Sequence, residues 1–107
     1  MNCHIKFTDT AKSDLREIAL YIVRNAKDKK TATRFVSELR EKCKILEAFP
    51  ESGSLPKDRV LKSAGYRFLI HKEYLIFYFY DAGENTVYIV SIFHEKRDYM
   101  RVMRKFI

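Results

Sequence analysis

The stretch YRFLIHKEYLIFYFYDAGENTVYIVSIF, residues 66–93, decides the fold. It holds three runs rich in aromatic and β-branched residues, YRFLI (66–70), YLIFYFY (74–80) and TVYIVSIF (86–93), each short enough for one strand. Asp81 to Asn85, with Gly83 among polar residues, suits the turn of a hairpin between the second and third runs. Both faces of Tyr74–Tyr80 are apolar, which predicts a central strand covered by helices on one side.

Upstream, Cys3, Ile5 and Phe7 alternate with Asn2, His4 and Lys6, the period of a strand with one wet face. Thr8, Asp9 and Thr10 then offer N-cap oxygens, and Ala11, Leu15, Ile18, Ala19 and Ile22 recur at helical spacing. This predicts a helix over about 10–25, with Asp14 and Glu17 toward the positive end of its dipole. The polar residues 25–30 interrupt that pattern. Ala32, Phe35, Val36, Leu39, Cys43 and Leu46 mark a second helix, supported by a Glu38–Lys42 pair and stopped at FPESG, where Pro50 and Gly53 end it. Two helices joined by so short a link lie antiparallel.

Gly53 to Gly65 reads as an irregular basic loop. Beyond the last strand, Tyr99, Val102, Met103 and Phe106 return to helical spacing, with Arg101, Arg104 and Lys105 on the other face. The expected class is therefore α+β, β-α-α-β-β-β with a short C-terminal helix, a helical hairpin packed on a small and mostly antiparallel sheet. Residues 1–107 form one domain in this reading, a length that buries enough apolar surface to fold without metals or crosslinks.

Lys and Arg number 21 against 14 Asp and Glu, a formal charge of +7, so a polyanionic or acidic partner is favoured. Two basic segments, 57–72 and 94–107, flank an acidic one, 73–93, that has no Lys or Arg. A plain nucleic-acid binding module is one function that this charge alone would predict. Cys3 and Cys43 have no partners at metal-ligand spacing and read as buried thiols. The N-terminus lacks a leader-like apolar region and no run reaches membrane-spanning length, so a cytoplasmic location is expected, without membrane contact.

His4, His71 and His94 fall in separate elements, and three isolated glycines make no phosphate-cradling loop. No metal and no cofactor is expected. Metal-free RNA cleavage needs a base, an acid and cations for the charge on phosphorus. Glu51, Arg67, His94 and Tyr99 are of the right types, yet each has a plainer explanation: Glu51 follows a helix, Arg67 lies on the wet face of a strand, and Tyr99 belongs to an apolar stripe. The phenylalanines of the sheet read as core. Its tyrosines, Tyr66, Tyr74, Tyr78, Tyr80 and Tyr88, read either as core or as faces on which bases stack.

AKSDLREIALYI in the first helix, LEAFPESG at the hairpin end, YRFLIHKEYLIFYFY in the sheet and VYIVSIFHEKRDYM at the last strand occur together and in this order. With them the chain resembles the RelE/ParE superfamily of toxins from type II toxin-antitoxin modules, and most of all its ParE branch. That resemblance implies a toxin silenced by a cognate antitoxin whose C-terminal segment wraps it. ParE-like members poison DNA gyrase and have no known catalytic residues; RelE-like members cut messenger RNA on the ribosome. The Lys and Arg cluster of RelE and the terminal His-Tyr pair of its YoeB relatives are not matched, since His94 is followed by Glu95 and thirteen residues remain after it.

The first expectation is thus a gyrase-directed toxin with no catalytic residues, docking through Lys96, Arg97, Arg101, Arg104 and Lys105. The alternative is an endoribonuclease acting on ribosome-bound message through Glu51, Arg67, His94 and Tyr99. In either case Leu15, Ile18, Ile22, Phe35 and Leu39, or the sheet edge, are expected to receive the antitoxin as an amphipathic helix or added strand. HEKRD (94–98) is expected to join the last strand to the terminal helix, with Asp98 at the helix N-terminus and Lys96 and Arg97 facing outward.

Overall fold

The computed structural model describes residues 2–107. Strand β1 (His4–Phe7) leads into helix α1 (Asp9–Ala26) and helix α2 (Lys29–Cys43), followed by one-turn helices α3 (Ile45–Ala48) and α4 (Arg59–Ser63). Strands β2 (Tyr66–His71), β3 (Tyr74–Asp81) and β4 (Thr86–His94) come next. Helix α5 (Tyr99–Met103) runs into a 3₁₀ turn, Arg104–Phe106. The sheet order is β1-β4-β3-β2, with β1 parallel to β4 and the other pairs antiparallel. The expected α+β order of elements is the one observed, and β3 is central.

Local chemistry sets the helix ends. The Thr8 hydroxyl accepts from the Ala11 N–H at 3.2 Å and donates to the Val90 carbonyl at 3.2 Å, so the cap of α1 is also pinned to β4. Lys27, at φ 53, ends α1 in the left-handed region, and Asp28 caps α2 by accepting from Lys30 N–H at 2.9 Å and the Thr31 hydroxyl at 2.8 Å. Those two bonds hold the Asp28 carboxyl below its ordinary pKa, the Thr31 hydroxyl contributing most.

Four expectations are corrected here. The second helix does not run unbroken to FPESG: Lys44 N–H turns back to the Glu41 carbonyl at 3.1 Å, and Glu47 N–H to that of Lys44 at 3.0 Å. Such three-residue steps place Cys43 and Leu46, three apart, on one buried side. Segment 53–65 is not irregular throughout. Ser54 bridges Phe68 on β2, and α4 starts at Asp58, which accepts from Leu61 N–H at 3.0 Å. Glu38 pairs with Lys72 at 3.5 Å instead of with Lys42, which ties α2 to the β2–β3 turn.

The fourth correction concerns layers. The hairpin covers one face of the sheet, over Ile76, Tyr78, Val87, Ile89 and Ile92, but α4 and α5 cover the other. Leu61 and Met103 there pack on Leu75, Phe77, Val90 and Phe93. The apolar character of both faces of β3 is explained by two cores of unequal size. Tyr78 is wholly buried in the hairpin-side core, so among the tyrosines it is a core residue. A β-bulge sits in β4, where Ser91 faces Phe77 and Ile89 faces Tyr78, leaving Val90 unpaired with β3.

Candidate functional site

The HEKRD segment is a tightly bonded corner. Glu95 N–H donates to the Glu73 carbonyl at 2.8 Å and Arg97 N–H to that of His94 at 3.1 Å. Lys96 N–H donates to His94 Nδ1 at 3.1 Å, so the ring proton sits on Nε2, 3.3 Å from the Glu73 carboxylate. Tyr74 meets the His94 ring edge-on at 5.4 Å. Asp98 caps α5, accepting from Met100 N–H at 3.1 Å and Arg101 N–H at 3.4 Å.

This corner displays cations. Lys96, Arg97, Arg101, Arg104 and Lys105 are all exposed, and none has an ion-pair partner among the described residues. Lys105 rests over the Phe106 ring at 5.4 Å. Five free charges on one short segment make a surface suited to an acidic or phosphate-bearing partner.

The four residues of the nuclease alternative do not share a pocket. Arg67 lies opposite Tyr78 on the hairpin face, donates to the Gly53 carbonyl at 3.0 Å and pairs with Glu51 at 3.7 Å. Its side chain is 26% exposed, so it is not on a wet face but forms a brace over the end of the FPESG segment. His94 lies opposite Tyr74, on the far side of β3 from Arg67 and four residues further along, about 13 Å along the strand and about 10 Å across it. Tyr99 is on the other face of the sheet altogether. It stacks on Phe77 at 5.7 Å, and its oxygen accepts from Asp58 N–H at 3.2 Å.

Of the five residues assigned to antitoxin capture, Leu15, Ile18, Phe35 and Leu39 are buried between hairpin and sheet, and Ile22 is half-buried. Their apolar surface is consumed by the core. The open apolar surface of the hairpin lies on its outer side, a groove of about 630 Å³ lined by Leu20, Val23, Ala32 and Val36 with Lys29 and Arg40 at its rim. Leu20 is 52% exposed. Its signal was in the sequence: Leu20 and Val23 widen the apolar arc of α1 beyond what one buried stripe needs.

Other reactive groups are quiet. Burial pushes the Cys43 thiol up to about 12, which leaves it protonated and inert. Burial raises the Tyr78 phenol, whose oxygen accepts from Gly53 N–H at 2.9 Å, and the Glu84 carboxylate bonded to Tyr88 raises that phenol as well. Among the described residues no His, Cys, Asp and Glu gather in threes at metal-binding distance, and no helix is long and apolar enough to cross a membrane.

The molecule is a helical hairpin on a mixed four-stranded sheet, with a cationic corner after the last strand and a basic-rimmed groove on its back. Its architecture is shared by toxins of two-component modules. The chromosomal ParDE toxin-antitoxin system from P. aeruginosa superposes with a TM-score of 0.71 at 20% identity, over 86% of this chain and 95% of that one. The RelBE2 toxin-antitoxin complex from Mycobacterium tuberculosis superposes with a TM-score of 0.58 at 20% identity, over 88% of this chain and 99% of that one. No curated protein matches the sequence. The family profile described as the ParE toxin of the type II toxin-antitoxin system parDE matches residues 5–99, and the chain belongs to that family.

Proposed function

We propose that this toxin arrests growth by binding DNA gyrase through its cationic corner, and that an acidic antitoxin neutralises it. The observation that carries the reading is the separation of Glu51, Arg67, His94 and Tyr99. General acid and base must both lie within hydrogen-bond reach of the reacting phosphate. A brace at one end of β2, a ring at the far end of β4 and a phenol on the opposite face do not meet that need. Lys96, Arg97, Arg101, Arg104 and Lys105 are instead free to contact a partner.

The antitoxin is assigned to the outer groove of the hairpin. An amphipathic helix would lay its apolar side on Leu20, Val23 and Val36, with carboxylates toward Lys29 and Arg40. Complementary charge on a +7 toxin speeds encounter and fixes orientation. Purified gyrase provides the test. Loss of supercoiling with trapped cleavage complexes at excess toxin, relieved by the antitoxin, is expected. Full supercoiling at every toxin concentration, together with cuts in translated messages, would transfer the assignment to RNA cleavage.

A further inference from the structure

On a molecule with seven excess positive charges, one concave site is locally negative. A cleft of about 390 Å³ opens between α1, the β2–β3 turn and the end of β4. Asp14, Glu17, Ile18 and Tyr21, spaced i, i+3, i+4 and i+7, form its helical wall. Glu73, Tyr74 and His94 form the opposite wall, Ile92 lies in the floor, and Arg97 stands at the rim. Three carboxylates face one guanidinium.

These carboxylates are not equivalent. One oxygen of Asp14 accepts from both the Ser91 hydroxyl and the Ile92 N–H, each at 2.9 Å, and so fixes the floor just beyond the β4 bulge. Glu73 has an oxygen 3.3 Å from His94. Glu17 has neither an ion pair nor a side-chain hydrogen bond among the described residues, although the chain holds 21 Lys and Arg. A carboxylate left unpaired on a chain with so many cations marks a place that faces something else.

The rest of the lining specifies the complement. Tyr21 is 60% exposed and Tyr74 half-buried, which gives a cation two phenol rings to approach, and Ile18 with Ile92 offers an apolar bed for a side-chain stem. Tyrosine faces attract guanidinium groups, and carboxylates bind them through paired N–H donors that an ammonium cannot present in plane. The groove assigned to the antitoxin shares no lining residue with this cleft: Val23 is turned about 120–180° around α1 from residues 14, 17, 18 and 21, and Leu20, one turn on from Glu17, stands between the two surfaces. The two surfaces can be tested apart.

We infer that this cleft receives an arginine side chain presented by the protein target of the toxin, a proposal that rests on the docking reading above. An acidic antitoxin is a poor source for that group, and a second copy of a chain with this net charge repels the first.

Two experiments decide it. In the first, ¹⁵N-labelled toxin is titrated at low salt with acetyl-Gly-Arg-Gly-amide and, separately, with its lysine and glutamate counterparts. Shifts confined to Glu17, Tyr21, Glu73, Tyr74 and Ile92, strongest for arginine and weakened about tenfold in a Glu17→Gln/Glu73→Gln variant, are expected. Equal shifts for all three peptides, scattered shifts or none would overturn the proposal. In the second, the same variant is compared with the parent for gyrase inhibition and antitoxin binding. Loss of inhibition by about tenfold with antitoxin affinity retained is expected. Inhibition unchanged, or both properties lost together, counts against the cleft as a target site. A parent toxin inert on gyrase defeats the gyrase reading, while the peptide titration still judges the cleft.

Discussion

The two faces of the sheet are covered by different means. On the hairpin side, helices of 18 and 15 residues lie over the strands and are fastened by polar bonds that cross the interface: Thr8 to Val90, and Ser91 and Ile92 to Asp14. The Tyr78 oxygen anchors Gly53 on the same side. On the other side, one-turn helices α4 and α5 rest on stacked rings, Phe77 on Phe93 at 5.5 Å and Tyr99 on Phe77; the Tyr66 hydroxyl donates to the Phe106 carbonyl at 3.3 Å, and the Tyr99 oxygen ties α5 to the Asp58 N–H before α4. The first face concentrates stability. The second carries a thin cover whose outer surface is cationic, and a thin cover can shift against a partner at small cost.

Truncation on each face is the strongest way to break that comparison. Leu39→Ala removes a side chain with no exposure from the hairpin core, and a loss of about 3–4 kcal/mol in urea unfolding is expected. Met103→Ala removes an equally buried side chain from the second face. Its one-turn helix can detach locally, so a loss of only about 2 kcal/mol is expected, with amide exchange rising first over residues 99–106. Equal losses with uniform exchange would show the two covers to be alike.

Gly53→Ala sharpens the comparison at an anchor. A Cβ there would stand 2.5 Å from the Tyr78 oxygen and 2.9 Å from the Phe68 carbonyl, and the brace of Arg67 on the Gly53 carbonyl leaves that backbone little room to move. A destabilisation of about 2–3 kcal/mol is expected, visible as a lowered urea midpoint with an unchanged slope. Asp14→Asn keeps the single oxygen that accepts both bonds but removes the charge that strengthens them, and about 1 kcal/mol should be lost by the same measurement.

The smallest effect is that of pH on His71. This ring is buried against Phe35 at 5.2 Å, its Nε2 has no partner, and burial, followed by Lys72 and Lys42, lowers its pKa from 6.5, while Glu38 acts weakly in the other direction. The neutral form is the folded form. Its contribution is complete above the unfolded value and fades as pH falls below 6.5 toward the lower folded value. The urea midpoint should therefore rise with pH more steeply in the parent than in His71→Phe as pH climbs toward 6.5, since the unfolded chain binds more protons there.

Much of this architecture was legible before any coordinates. Period-two alternation at Cys3, Ile5 and Phe7, helical spacing from Ala11 to Leu46 and the three aromatic runs all report burial on one side, which repeats regularly enough to be read. α4 was not legible, because a helix of five residues that buries only Leu61 has no period to detect. The break at Lys44 was hidden for a related reason, as a spacing of three fits an α-helix as well as a tighter turn.

The candidate site was less legible. Leu15, Ile18, Phe35 and Leu39 were marked for a partner because sequence shows apolarity and not which apolar stripe is already spent. Arg67 was placed on solvent by the alternation of β2, but the Gly53 carbonyl and Glu51, supplied by a segment 14 positions earlier, draw it inward. The cations after His94 were legible, since charge on a capped terminal helix has nowhere to go but outward. Which cleft faces them depends on the β4 bulge and on Asp14, 77 positions from Ser91, a juxtaposition that no local pattern announces.

The parallel pairing of β1 with β4 sets a schedule for biosynthesis. Thr8 finds its acceptor on Val90, 82 positions away, and among the described residues His4–Phe7 find their sheet neighbour in Thr86–Ile89. A nascent chain halted before that last strand emerges from the ribosome lacks Val87, Ile89 and Ile92 of the surface on which the helical hairpin lies, and β1 has no strand to join. Closure of the hairpin-side core is thereby deferred to the end of translation, when its longest-range contacts can form.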